Sequence, residues 1–133
     1  MIVGLGTDLV SVERMAALLT RFGERLPARL LSAAERSQCP EARKAHCLAR
    51  RFAAKEATLK ALGTGLRDGM RWSDIEIGHD ALGRPELQLS GAVRRRLHGL
   101  CRTPHLLLSL SDEEHYAMAT VIIEDQERAS GCG

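Results

Sequence analysis

The sequence has few aromatic residues and no long apolar run, and both shortages exclude classes of protein. Only 3% of the 133 residues are aromatic, which argues against single-stranded nucleic-acid binding by base stacking. No segment approaches the roughly 18 apolar residues of a membrane span, and the first residues lack the charged region and cleavage site of a signal peptide. We therefore expect a soluble, cytoplasmic protein with neither a nucleic-acid nor a membrane partner.

Cysteine is also scarce. The four cysteines include no C-x-x-C pair and are too few for a disulfide scaffold of this length, so reduced thiols are expected. They lie at positions 39, 47, 101 and 132. Hydrophobic residues make up 44% of the chain and charged residues 27%, the balance of an ordinary globular domain with a core of its own.

The net charge of +2 hides an uneven distribution. Residues 14–60 hold 11 Lys or Arg against 4 Glu, whereas the rest of the chain holds 8 basic and 13 acidic residues. Arginine accounts for 16 of the 19 basic residues, and its planar fork suits carboxylate and phosphate groups. The first half therefore forms either a solvated face enriched in arginine by codon bias, or a basic surface for an acidic partner or a phosphorylated ligand.

Periodicity and capping residues predict a single α+β domain over residues 1–124, followed by a polar, disordered tail at 125–133. Helices come first, packed with an N-terminal strand on a sheet that is mostly antiparallel. The predicted strands cover 2–10, short runs around 75–77 and 87–89, 106–111 and 116–124. The predicted helices cover 12–22 with Ser11 as N-cap, a short turn from Pro27, a third opened by a capping box at Ser32, 41–62 and 91–100.

The first strand carries one carboxylate on an otherwise apolar face. Its Gly-x-Gly lacks the third glycine of a dinucleotide-binding fingerprint. Asp8 shares its predicted face with Ile2, Gly4, Gly6 and Val10. A buried carboxylate needs a cation, several donors or a raised pKa. The alternative is a turn aspartate, satisfied by the amides that lead into the first helix.

The long helix holds a second acidic candidate. Glu56 lies at the edge of an apolar stripe and Lys60 follows one turn later on the same side, so the two could form a surface ion pair. The functional alternative pairs Glu56 with Asp8, since two converging carboxylates suit Mg²⁺. Lys60 and the backbone amides around Gly63 and Gly65 would then contact phosphates.

Four separate motifs resemble the holo-acyl-carrier-protein synthases. Residues 51–65, RFAAKEATLKALGTG, match that family's F-x-x-K-E-A-x-x-K-A-x-G-T-G signature, and residues 4–10 followed by Arg14 match its opening. Residues 82–85 and 109–120 match in order and spacing. The resemblance spans nearly the whole chain and implies the phosphopantetheinyl transferase fold.

That resemblance implies transfer of 4′-phosphopantetheine from coenzyme A to a serine of apo acyl carrier protein, with release of adenosine 3′,5′-bisphosphate, in fatty acid biosynthesis. Asp8 and Glu56 would hold Mg²⁺, and Lys60 would neutralise phosphate charge. Glu56 would accept the serine proton, directly or through a metal-bound water. The family also implies a homotrimer with active sites between subunits.

The resemblance assigns the remaining contacts to two groups. The residues implied to bind coenzyme A are Arg51, Lys60, Gly63, Thr64, Gly65, Pro85 and Ser109. Those implied to bind the carrier protein are Arg14 and Arg21. One departure concerns a histidine that many relatives carry two residues before the position of Ser109. This chain has Leu107 there, and His105 lies one side-chain step away on the same face of the strand.

Two other classes of function stay open from the residues alone. A small arginine-rich module that binds nucleic acid would explain the 16 arginines, although the acidic remainder of the chain and the few aromatics oppose it. A Mg²⁺-dependent phosphohydrolase would share the metal site but would need no acidic protein partner.

Overall fold

Five strands and five helices make up residues 1–126, the part of the chain that the computed structural model describes. The strands are Ile2–Ser11 (β1), Ile75–His79 (β2), Pro85–Leu89 (β3), Pro104–Asp112 (β4) and Tyr116–Asp125 (β5). The helices are Val12–Phe22 (α1), Arg25–Leu30 (α2), Ala33–Ser37 (α3), Lys44–Ala61 (α4) and Gly91–Leu100 (α5). Single 3-10 turns lie at Glu41–Arg43 and Trp72–Asp74.

The strands form two antiparallel sheets. The larger has the order β1-β5-β4, and β2 pairs with β3 in a separate hairpin. Helix α4 packs against β1 and β5 on one face of the larger sheet, and its alanine and leucine side chains fill the core with the inward side chains of β5. This arrangement confirms the predicted α+β fold.

Most predicted element ends agree with the structure. The Ser11 hydroxyl accepts a hydrogen bond from the Arg14 amide at 3.1 Å, which makes it the N-cap of α1, and Ser32 forms the predicted capping box with Glu35. The start of the long helix differs, because the first residues after Pro40 form a 3-10 turn and the α-helix begins at Lys44. Helix α2 begins two residues before Pro27.

Strand β5 continues one residue past the domain end expected at 124. Asp125 is the last residue of β5 and is buried, with its amide bonded to the Met1 carbonyl at 2.7 Å. Its carboxylate accepts from the amides of Arg102 and Thr103, so an acidic residue near the end of the chain serves the fold. The rest of the expected tail, 127–133, lies outside the described residues.

Strand β1 lies directly on the backbone of α4, and two glycines make this possible. A Cβ atom added at Gly6 would lie 1.9 Å from the Ala57 carbonyl oxygen, and one at Gly4 would lie 2.2 Å from that of Ala61. No side chain fits at either position. Asp8 points to this same face, whereas Ile2 points outward because the pairing register shifts between Ile2 and Gly4.

A buried ion pair fastens the opposite side of α4. The Lys55 ammonium donates to the Glu35 carboxylate at 2.7 Å and to the carbonyls of Trp72 and Ile75 at 3.0 and 2.6 Å. Burial lowers the pKa of Lys55, and Glu35 opposes that shift. Both side chains are fully buried, and Glu35 also accepts from the Ile77 amide. The pair thus ties α4 to α3 and β2.

The expectation of reduced thiols is wrong for two of the cysteines. Cys39 and Cys47 form a disulfide, with their Cα atoms 5.7 Å apart. Cys39 directly precedes Pro40 and Cys47 lies in the first turn of α4, so the bond closes the loop between α3 and α4. A separation of eight residues has no recognised sequence signature, which is why the sequence did not predict it.

Within residues 1–126, none of the helices combines the length and the apolar character that crossing a bilayer requires.

The contact between β1 and α4 predicts that Gly6→Ala destabilises the protein by about 2–3 kcal/mol, since the new methyl group must displace helix backbone. Urea unfolding followed by circular dichroism measures this change. Gly78→Ala is the matched control, because it also lies in a strand but has no atom within 4 Å of its added Cβ. Equal stability of the two variants would contradict the proposed close packing.

The buried pair predicts that Lys55→Met costs about 3–5 kcal/mol of unfolding free energy, because it leaves the Glu35 charge buried with no ammonium partner and only the 3.6 Å contact to Arg51 Nε. The double variant Lys55→Met, Glu35→Gln should recover much of that loss, since the buried charge is then removed. Chemical denaturation of the two variants gives the comparison. A double variant no more stable than Lys55→Met would show that the unpaired charge is not the cause.

Candidate active site

The predicted acidic residues meet where β1 crosses α4. Asp8 lies two residues beyond Gly6 on β1, and Glu56 and Lys60 lie one turn apart on α4. The Asp8 side chain is 16% exposed and that of Lys60 is 52% exposed, so the cluster sits at the edge of the core with access from solvent. The structure therefore brings three of the predicted residues together.

Lys60 bonds to β1 and not to its own helix. Its ammonium donates to the Asp8 carboxylate and to the Thr7 carbonyl, both at 2.9 Å. Asp8 lies inside the strand and takes its charge partner from α4. Two of the interpretations that the sequence left open are therefore wrong. Asp8 is not a turn aspartate, and Lys60 does not form an ion pair with Glu56.

Glu56 is the perturbed member of the cluster. Burial raises the pKa of its carboxyl group above the ordinary value, the nearby Asp8 charge raises it further, and Lys60 only partly offsets the two effects. Among residues 1–126, none forms a hydrogen bond or ion pair with the Glu56 carboxylate. The site thus contains two neighbouring carboxylates with one ammonium group between strand and helix, paired to Asp8.

These two carboxylates fit a divalent cation that needs few ligands from the protein. Two carboxylates offer hard oxygen ligands, and their mutual repulsion is the kind that a cation relieves. The described residues contain no group of three or more His, Cys, Asp or Glu side chains placed to hold a metal. Mg²⁺ suits such an open site, since it keeps several waters and takes substrate phosphates as further ligands.

The glycine loop at the end of α4 has the geometry of a Schellman cap. The Gly63 amide bonds to the Lys60 carbonyl and the Thr64 amide to the Leu59 carbonyl, both at 3.1 Å, and Gly63 has the positive φ of 76° that this cap requires. The predicted glycine end of the helix is confirmed. Arg96 was not predicted from the sequence; its guanidinium donates twice to the Leu62 carbonyl and holds the loop in place.

Pro85 and Ser109 lie together in a separate groove of about 830 Å³ between β3 and β4. Leucines of both strands line much of it. His105 also lies there, within 3.3 Å of the Gln126 amide nitrogen and 4.0 Å of the Glu124 carboxylate. The lining contains none of Asp8, Glu56 and Lys60. Within one chain, the carboxylate cluster and the groove with Pro85 and Ser109 are therefore two separate parts of the predicted site.

Arg51 lies away from the carboxylate cluster, largely buried on the side of α4 that faces Glu35. Its guanidinium donates to the Gln38 side chain and to the Cys47 sulfur. The role in coenzyme A binding that the resemblance implies for Arg51 stays a prediction. The network with Glu35 and Lys55 was not expected, although Lys55 stands inside the recognised motif.

Helix α1 presents the two predicted docking arginines to solvent. Arg14 and Arg21 are both exposed, and neither forms an ion pair with another residue of the described chain. The Arg21 guanidinium lies 5.0 Å above the Phe22 ring. Their seven-residue spacing places them on one side of the helix, as predicted.

Comparison with known proteins agrees with this geometry. The family model of the 4′-phosphopantetheinyl transferase superfamily matches residues 4–121. The holo-[acyl-carrier-protein] synthase of Acidithiobacillus ferrooxidans is 56% identical over 126 residues, which cover 93% of this chain and 98% of the relative.

Solved structures give the same result. The holo-[acyl-carrier-protein] synthase of Neisseria meningitidis aligns with a TM-score of 0.86 and 41% identity, covering 94% of this chain and all of the other. That of Bacillus anthracis, in complex with CoA (3′,5′-ADP), aligns with a TM-score of 0.77 and 32% identity, covering 94% and 98%. The chain therefore belongs to the 4′-phosphopantetheinyl transferase superfamily and, within it, to the holo-[acyl-carrier-protein] synthases.

Proposed function

We propose that the protein transfers 4′-phosphopantetheine from coenzyme A to a serine of apo acyl carrier protein. The observation that carries this proposal is the meeting of Asp8, Glu56 and Lys60 where β1 crosses α4. Family membership favours this reaction over nucleic-acid binding and over phosphate hydrolysis. Cytoplasmic location and a part in fatty acid biosynthesis belong to the same proposal.

In the reaction, the serine oxygen bonds to the phosphorus of the phosphopantetheine group, and the bond from that phosphorus to the bridging oxygen breaks. Adenosine 3′,5′-bisphosphate leaves with the bridging oxygen. Asp8 and Glu56 would hold Mg²⁺, which when bound offsets charge on the pyrophosphate oxygens. The Lys60 ammonium neutralises the same phosphates from the solvent side.

Glu56 is the residue we propose as acceptor of the serine proton. A base works best when its pKa lies near the working pH, and in the metal-free protein burial together with Asp8 moves the pKa of Glu56 in that direction. The Asp8 carboxylate is engaged by the Lys60 ammonium. The Glu56 carboxylate has no such partner among residues 1–126 and is the one left to take up the proton.

The coenzyme A contacts that we propose are drawn from both halves of the site. Lys60 belongs to the carboxylate cluster and the loop of Gly63, Thr64 and Gly65 follows it at the end of α4, whereas Pro85 and Ser109 line the groove between β3 and β4. Arg51 is the proposed arginine contact. Since these halves lie apart on one chain, we infer that neighbouring copies of the chain complete the site.

The outer face of the larger sheet supports that inference. Leu5, Leu9 and Met118 are 66%, 62% and 45% exposed on it, and Leu107 and Ser109 share the face through their pairing with β5. An exposed apolar sheet face is typical of an interface between subunits. We propose a homotrimer, which light scattering would report as three times 14.6 kDa, and a mass of one chain would contradict it.

The proposed reaction is tested directly by incubating the protein with apo acyl carrier protein, coenzyme A and Mg²⁺ and measuring the intact mass of the carrier. We expect one phosphopantetheine group per carrier. Loss of coenzyme A without any change in the carrier would instead indicate a phosphohydrolase. Omitting Mg²⁺ in the presence of EDTA should stop transfer.

The carboxylate pair predicts that Asp8→Ala and Glu56→Ala each abolish transfer, because each removes one of two protein ligands for the metal. Glu56→Gln should be nearly as inactive, since it lacks the charge and cannot accept a proton. Initial rates at saturating Mg²⁺ measure the effect. Full activity in either alanine variant would overturn the proposed site.

Stability measurements separate this loss of function from loss of fold. The raised pKa of Glu56 means that its protonated form favours folding, an advantage lost as pH rises through that pKa. Glu56→Gln should therefore melt higher than the wild type at neutral pH, and the two midpoints should converge below the ordinary value of 4.5.

The exposed arginines of α1 predict charge-steered docking of the acidic carrier protein. Arg14→Glu and Arg21→Glu should each raise the KM for carrier protein several-fold with little effect on the KM for coenzyme A. Arg94→Glu, an exposed arginine on α5, serves as the matched charge reversal. An unchanged KM for carrier protein in the variant with both Arg14→Glu and Arg21→Glu would show that these arginines are only a solvated surface and do not bind the carrier protein.

His105 is predicted to contribute little to coenzyme A binding, because Gln126 and Glu124 already neighbour its ring. His105→Ala should change the KM for coenzyme A less than about threefold, or roughly 0.65 kcal/mol. Leu107→His should keep the fold. A tenfold loss in His105→Ala that is absent with dephospho-coenzyme A would show that His105 binds the 3′-phosphate.

A further inference from the structure

The Cys39–Cys47 disulfide lies next to the guanidinium group of Arg51. The Cys47 sulfur accepts from Arg51 Nη1 at 3.0 Å, and Gln38 Oε1 accepts from Nη2 at 2.9 Å. Gln38 directly precedes Cys39 in the chain. The disulfide therefore constrains both acceptors of the Arg51 terminal nitrogens, since Cys47 is one of its cysteines and Gln38 is the neighbour of the other.

Arg51 is 7% exposed, and its third nitrogen, Nε, lies in an ion pair but makes no hydrogen bond with the described residues. Nε lies 3.6 Å from the Glu35 carboxylate and donates a hydrogen bond to no acceptor among residues 1–126. The groove that Arg51 borders has a volume of about 360 Å³, and basic side chains outnumber acidic ones in its lining, where Asp112 lies 3.6 Å from Arg50. Its other basic side chains are Arg43, His46, Arg50 and His79.

We propose that Cys39 and Cys47 form a reversible thiol–disulfide switch that controls whether Arg51 is available to an anionic ligand in this groove. The inference that the ligand is coenzyme A rests on the proposed function. In the disulfide form one N–H of each terminal nitrogen is engaged, which leaves Arg51 fewer of its five N–H donors to grip a phosphate with two parallel hydrogen bonds. The oxidised protein is the weaker binder.

Reduction removes the constraint at two points. The Cys47 side chain gains rotational freedom, and segment 38–43 is no longer tied to the first turn of α4. Gln38 can then leave Nη2, which frees the guanidinium fork for a phosphate. Glu56 and Lys60 lie at least five residues beyond Arg51 on α4, and Asp8 lies on β1, so the reacting groups keep their arrangement in both forms.

The switch needs a small-molecule disulfide as oxidant and the corresponding thiol as reductant. Oxidation transfers two electrons and two protons from the two thiols to a small-molecule disulfide, such as glutathione disulfide, which becomes two thiols. The reverse exchange passes through a mixed disulfide. Cys39 is partly exposed and Cys47 is buried, so Cys39 is the sulfur that a small molecule reaches first.

Peptide mapping tests whether the pair exists. Trypsin cleaves after Arg36, Arg43, Lys44 and Arg50, which places Cys39 in peptide 37–43 and Cys47 in peptide 45–50. After treatment with glutathione disulfide and alkylation, we expect the two peptides to be linked, and dithiothreitol should release both. Separate alkylated peptides at every glutathione ratio would overturn the proposal.

Ligand binding tests the effect on Arg51. The dissociation constant of adenosine 3′,5′-bisphosphate, measured by calorimetry, should be at least about threefold higher for oxidised than for reduced protein. Cys39→Ser should match the reduced wild type under both conditions. Arg51→Gln should bind weakly and equally in both. Equal affinity of the two wild-type forms, with the linked peptides present, would overturn the switch.

Two readouts keep this result distinct from failure of the proposed function. Reduction should lower the melting midpoint of the ligand-free wild type by roughly 5–10 °C through loss of the cross-link, and leave Cys39→Ser unchanged. An unchanged wild-type midpoint would contradict the pairing. Absence of transfer to the carrier protein in both forms, with redox-dependent bisphosphate binding intact, would contradict the proposed reaction and leave the switch supported.

Discussion

The direct contact of β1 with the backbone of α4 is the constraint on which the candidate site depends. Gly4 and Gly6 carry no side chain between strand and helix, so the two backbones lie too close together for even a Cβ atom to fit between them. Asp8, two residues further along the strand, then reaches the ammonium of Lys60 and raises the pKa of Glu56. A wider separation would leave the two carboxylates as independent surface groups.

Helix α4 does two tasks with side chains that are neighbours in sequence. Lys55 is fully buried against Glu35 and fastens the helix to α3 and β2, whereas Glu56, the next residue, faces the cluster at β1. Successive helical residues point about 100° apart, so one motif supplies both the fixing of the helix and its chemistry. Lys60 repeats the direction of Glu56 one turn later.

Much of this was predictable because it is local. Ser11, Ser32 and Gly63 mark helix ends through caps that involve only neighbouring residues, and β1 with its acidic residue was recognised from alternation alone. The partners that depend on tertiary packing were not predictable. Neither the Lys60 bond to Asp8 nor the closure of a loop by Cys39 has a sequence signature, because each joins residues whose proximity is decided by the rest of the fold.

The candidate site depends on the coupling between the two carboxylates, and comparing the pKa of Glu56 in the wild type and in Asp8→Asn measures this coupling. Carboxyl-carbon NMR titration of the metal-free protein gives both values. We expect a raised pKa in the wild type that falls in Asp8→Asn, yet stays above the ordinary value because burial remains. An identical pKa in the two proteins would show that Asp8 and Glu56 do not share a site.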